Sequence, residues 1–76
     1  MLLYFYDLRL KVREYNRVKR RFYYHLSRSK LSLKPWKTKS VLLVDEGLEG
    51  EADAFFRKWK PHIICYKART EGLVRL

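Results

Sequence analysis

A chain of 76 residues that is 47% hydrophobic and 16% aromatic is too apolar for a disordered basic tail and too short for more than one domain. Its formal net charge of +10 lies wholly in residues 1–40, where twelve Lys/Arg face only Asp7 and Glu14, while residues 41–76 carry six charges of each sign. Charge gathered in one part of a folded chain predicts a face turned toward a polyanion, not merely a soluble surface.

In chain order, Leu2 to Leu8 reads as a short aromatic-rich strand bounded by charge. Its apolar start, Met1 to Tyr6, lacks a leading charge and is too short for a signal peptide or a membrane span, so a cytoplasmic protein is expected. Phe5 is expected in the core, with Tyr4 and Tyr6 on the opposite face, turned to a second subunit, to solvent or to stacked bases. From Arg13 the period changes. Tyr15, Val18, Phe22 and Leu26 recur at steps of three and four and predict an amphipathic helix ending near residues 27–29. Another face of that helix carries Arg17, Arg20, Arg21, Tyr24 and Arg28, Arg13 joins them as a candidate phosphate contact, and Glu14 is the only acid among the helix charges.

Leu31 to Lys34 alternates and predicts a short strand that Pro35 confines to an edge or a turn. The turn that follows holds Lys34, Trp36, Lys37 and Lys39. Ser40 to Val44 is continuous and β-branched, as in the centre of a sheet. An acidic loop leads into a second helix on which Ala52, Phe55, Phe56 and Trp59 share a face. Acids open this helix and bases close it, matching its dipole, and Pro61 stops it. His62 to Ala68 is a further strand, and Leu73 to Leu76 a short terminal one. The order βαββαβ, with an extra C-terminal strand, predicts an α+β ferredoxin-like two-layer sandwich spanning residues 1–76.

The chemistry legible in this pattern is binding. An arginine-rich helix face with so little acid on it has no ladder of ion pairs to account for it, and it suits phosphates. Trp36 among Lys34, Lys37 and Lys39 suits base stacking. Cys65, the only cysteine, sits in an apolar run and reads as a small buried hydrophobe, and without a disulfide framework a reducing compartment is expected. His25 and His62 lack metal-ligand spacing, and no phosphate loop, nucleophile elbow or CxxC is present. Asp7, at the end of the first strand, either caps the helix, pairs with nearby arginines or helps hold a divalent cation that a symmetry mate completes. So small a domain buries only about 60% of its unfolded surface, and a homodimer is expected to complete it.

Tyr6-Asp7-Leu8 ending a first strand, the basic helix Tyr15-Asn16-Arg17-Val18-Lys19-Arg20-Arg21-Phe22, and Lys39-Ser40-Val41-Leu42 together resemble the CRISPR-associated protein 2 family, with Ile64-Cys65-Tyr66-Lys67 in the place of that family's last long strand. The resemblance implies a ferredoxin-like homodimer with Asp7 as a metal-binding, catalytic acid at its axis and magnesium as its cofactor. It implies either a metal-dependent nuclease or the scaffold of a spacer-integration complex. Two other readings fit the residues alone: a ribosome-associated structural RNA-binding protein, and a small transcription-related DNA-binding module.

Overall fold

A computed structural model describes residues 1–9, 12–33, 40–72 and 74–76. It is an α+β fold. Strand β1 (Leu2–Leu8) is followed by helix α1 (Val12–Arg28), strand β2 (Val41–Val44), helix α2 (Glu49–Lys58) and strand β3 (Ile63–Arg69). The three strands form one antiparallel sheet in the order β2-β1-β3, so β1 is central and β2, expected in the middle, is an edge of the described sheet.

Two registers organise the molecule. Leu2 faces Val44 on one side and Arg69 on the other, and Phe5 faces Val41 and Tyr66. Side chains alternate along a strand. Leu2, Tyr4 and Tyr6 therefore point together into the core, where all three are buried, and Phe5 is turned out, 42% exposed. This reverses the expectation for Phe5, Tyr4 and Tyr6. The physical reason lies two residues on. Asp7 shares the parity of Leu3 and Phe5, and a charged carboxylate is not buried without a partner, so the odd residues face outward.

Both helices cover the inner face. Val18, Phe22 and Leu26 form the buried stripe of α1, and Ala52, Phe56 and Trp59 are the buried residues of α2 and its end. Phe22 is the hub. Its ring lies 5.4 Å from Tyr6, 5.5 Å from Phe55 and 5.6 Å from Trp59 between centroids, and Tyr4 stacks on Phe56 at 5.1 Å. Tyr15, expected on the buried stripe, stands at its margin and is 37% exposed.

Where an edge strand was expected from Leu31, the chain makes a 3-10 turn, Lys30–Leu33. The Ser29 hydroxyl donates to Leu26 O (2.7 Å) and accepts from the Leu31 amide (3.2 Å), which curls the chain and drops Leu31 into the core. A short 3-10 turn, Glu46–Leu48, likewise feeds directly into α2. Residues 74–76 form no strand, contrary to the expected terminal β-segment. Lys34, Trp36, Lys37 and Lys39 lie outside the described residues. No described helix is long and apolar enough to cross a membrane.

Phe22→Ala should cost about 3–5 kcal/mol in urea denaturation, because it empties a closed aromatic cluster. Tyr24→Ala, at a site 53% exposed, should cost only about 0.5 kcal/mol. Equal losses would contradict this packing.

Candidate nucleic-acid interface

At 100° per residue, the side of α1 directly opposite Val18, Phe22 and Leu26 carries Arg13, Arg17, Arg20, Tyr24 and Arg28. All five are exposed. Since a helix rises 1.5 Å per residue, the stripe is roughly 22 Å long. Lys19 and Arg21 flank it on either side, both exposed. The buried stripe thus dictates the basic one: once the three apolar residues are fixed to the sheet, the arginines have nowhere to go but outward.

Among the described residues, none of Arg13, Arg17, Lys19, Arg20, Arg21 and Arg28 has an acidic partner within 4.0 Å. Two of them lie on aromatic rings instead. Arg28 Cζ sits 5.0 Å from the centre of Tyr24, and Lys19 Nζ sits 5.5 Å from that of Tyr15. A guanidinium lying on a ring keeps its charge and most of its donors while losing rotational freedom. Asn16, Arg17, Arg20, Tyr23, Tyr24 and Ser27 line a shallow, open depression on this face, which sets the Asn16 amide between the cations, while the Ser27 hydroxyl donates to Tyr24 O at 2.7 Å.

The second half of the chain disposes of its charges differently. Lys67 Nζ lies 2.7 Å from Glu49 and 2.8 Å from Asp53, and Arg69 reaches Glu49 at 3.0 Å and also bonds Glu46, which holds the N-terminal amine at 2.9 Å. The Tyr4 hydroxyl donates to Asp53 at 2.7 Å from beneath. Burial, reinforced by Asp53, raises the Tyr4 phenol well above its usual range. Lys67 lowers the carboxyls of Asp53 and Glu49, and the N-terminal amine lowers that of Glu46. Lys67 and Arg69 are thus neutralised by Glu46, Glu49 and Asp53, tying β3 to α2 and to the turn that precedes it.

Asp7 sits on the outward face of β1, exposed, with Arg9 Nε at 3.4 Å. The structure therefore brings Asp7 to an arginine and not to other acids. Among the described residues no group of three or more His, Cys, Asp or Glu could hold a metal ion. One carboxylate beside a cation does not fit magnesium within one chain. Burial pushes the Cys65 thiol up to about 11, so its nucleophilic form is scarce at neutral pH.

Sequence reasoning missed the outward pair Phe5 and Tyr66, cross-strand neighbours on the open sheet face, with Tyr66 72% exposed. The signal was available in the shared parity of Phe5 with Asp7. No protein-family model matches the chain, and comparison with curated proteins and with solved structures likewise gives no match.

The depressed carboxyls carry a pH signature. Groups whose folded pKa is lowered add stability that is fully present above their ordinary values, 4.5 for Glu46 and Glu49 and 3.8 for Asp53, and that is lost as pH falls through the lowered ones. Thermal melts should therefore show the fold weakening from about pH 4.5 downward, and Asp53→Asn should flatten that slope. An unchanged slope would mean that the cluster does not couple to folding.

Proposed function

We propose that the protein is a nucleic-acid-binding scaffold that grips the phosphate backbone through α1, with Arg13, Arg17, Arg20, Arg21 and Arg28 as the phosphate contacts and Tyr24 presenting Arg28. The observation that carries this reading is the contrast between α1 and β3. Lys67 and Arg69 of β3 are neutralised by Glu46, Glu49 and Asp53, while the cations of α1 are exposed and lack acidic partners among the described residues. Unneutralised, regularly spaced guanidiniums on a rigid helix cost self-repulsion, and a polyanion offsets it by releasing counterions.

The sheet face left bare by the helices has a different use. Leu3, Phe5, Ile64 and Tyr66 lie on the outer side of β1 and β3, and we assign this side to a second copy of the chain. On this side Asp7 is paired with Arg9. Two copies stacked there turn their α1 helices away from each other. Two sheets about 10 Å apart then separate the basic stripes, which exceeds the Debye length of ~8 Å at physiological salt. A homodimer of this kind presents two phosphate-gripping helices on opposite sides.

The order β2-β1-β3, with both helices on one face, supports a ferredoxin-like arrangement, in which a fourth strand would pair with the outer edge of β2. Together with the motifs around Asp7, α1 and Val41, this supports similarity to the CRISPR-associated protein 2 family in its scaffold role. No observation favours a catalytic step at Asp7. The ribosome-associated reading differs from this one only in its polyanion.

Titrating short duplex and single-stranded DNA and RNA across a salt series tests the binding. On duplex DNA, five phosphate contacts predict a slope of log affinity against log salt of roughly −4.5. Arg17→Glu with Arg21→Glu should abolish binding while leaving the far-UV circular dichroism intact, and retained affinity would sink the α1 assignment. Sedimentation of the free protein at micromolar concentration should show a dimer, which Ile64→Glu with Tyr66→Glu converts to a folded monomer. A wild-type monomer would rule out the second copy.

A further inference from the structure

The outer edge of β3 and the groove beside it form a second surface, distinct from α1 and from the open sheet face. The hydrogen-bond phase of the sheet shows which way its backbone points. The Arg9 amide donates to His62 O at 2.7 Å and the Thr70 amide to Met1 O at 2.9 Å, so the even-numbered residues between them are the ones that bond β1. Cys65, Lys67 and Arg69 consequently direct their N–H and C=O groups to the free edge. Ile63 fits the same phase, since its amide turns away from β1 to Trp59 O at 3.1 Å. Among the described residues no backbone group pairs with Cys65, Lys67 or Arg69 along that edge.

Long open edges are commonly shielded by lysine or arginine side chains lying across them. Here the ion pairs to Glu46, Glu49 and Asp53 engage the Lys67 and Arg69 heads with α2 and the turn before it instead of with the edge. Beside it runs a groove of about 590 Å³ between β3 and α2. Tyr4, Phe56, Ile63 and Cys65 give it an apolar lining, Arg57 and Lys60 stand on its rim, and, among the described residues, the one carboxylate that lines it, Asp53, is paired with Lys67. Both rim cations are exposed, and neither has a carboxylate within 4.0 Å among the described residues.

We propose that this groove is a strand-addition site for an extended acidic segment of a partner protein. The peptide main chain would continue the sheet by pairing with Cys65, Lys67 and Arg69. Alternate side chains would enter the groove, and carboxylates would meet Arg57 and Lys60. This is recognition by an exposed sheet edge, in which backbone bonds supply affinity and the flanking groups choose the partner. Charge selects the occupant. An acidic strand meets Arg57 and Lys60 with opposite charge. The whole chain, at +10, also steers an acidic partner inward. A site on β3 and a nucleic-acid grip on α1 would let one small domain hold both kinds of partner at once.

The test uses the full chain, labelled with nitrogen-15, and a short peptide alternating glutamate with valine. Its control is the same peptide N-methylated at alternate amides, equal in charge but unable to add as a strand. The unmethylated peptide should shift the Cys65, Lys67 and Arg69 amides and slow their hydrogen exchange, and the methylated one should bind at least tenfold more weakly. Arg57→Glu with Lys60→Glu should cost a similar factor, and Arg17→Glu with Arg21→Glu should leave peptide binding in place. The methylated peptide leaves the protein unaltered, so the comparison of the two peptides does not depend on any variant folding. Equal binding of the methylated peptide would reduce the effect to bulk charge and overturn the proposal. So would shifts centred on α1, or protection of the same edge amides by protein concentration alone or by a single-stranded oligonucleotide.

Discussion

Tyr4 and Tyr6, side by side on the inner face of the central strand, hold the rest of the molecule in place. Their rings meet α2 at Phe56, and Tyr6 meets α1 at Phe22. Each ends in a hydroxyl, so the layer is apolar at its centre and polar at its tip. Tyr4 uses that tip on Asp53, which in turn grips Lys67 on β3. One strand parity therefore decides three things together: which aromatics form the core, where both helices lie, and how the edge strand is tied down. With a core this thin, no other arrangement of β1 both buries its large side chains and leaves Asp7 in water.

From that constraint the charge distribution follows. The helices sit on one face, α1 is pinned by Val18, Phe22 and Leu26, and its arginines are left pointing away. Glu46, Glu49 and Asp53 are drawn to β3, where they balance Lys67 and Arg69. The +10 of the chain is thus presented mainly by the part that has no internal use for it. On the sheet face opposite the helices Asp7 is paired with Arg9, and beside the β3 edge the rim cations Arg57 and Lys60 lack a carboxylate within 4.0 Å among the described residues. Three surfaces of different chemistry are separated by the two-layer architecture itself.

Much of this is legible in the residues. The helical repeat from Val18 to Leu26 and the basic stripe opposite it need only the 3.6-residue period, and the second helix needs only its dipole-matched ends. The β-branched run at Val41–Val44 likewise announces a strand, though not its place in the sheet, since an apolar edge and an apolar centre look alike in a four-residue run. The orientation of β1 is easily misread because phenylalanine outranks tyrosine in apolarity, while the carboxylate two residues on, which decides parity, looks like part of the strand's end. The 3-10 turn at Lys30–Leu33 defeats a reading by alternation because Ser29 captures the local backbone. The β3 edge is invisible in sequence altogether: it depends on which pairings a strand lacks, and only the register shows that.

Whether α1 is the surface that meets nucleic acid is tested most directly by amide chemical-shift mapping. A short oligonucleotide is added to the nitrogen-15-labelled chain in low salt, and every resolved resonance is followed. Perturbations should concentrate in Val12–Arg28 and be strongest along Arg13, Arg17, Arg20, Tyr24 and Arg28, with β3 and the open sheet face unaffected. Perturbations centred instead on Phe5, Ile64 and Tyr66, or spread evenly over every lysine and arginine, would contradict that role for α1.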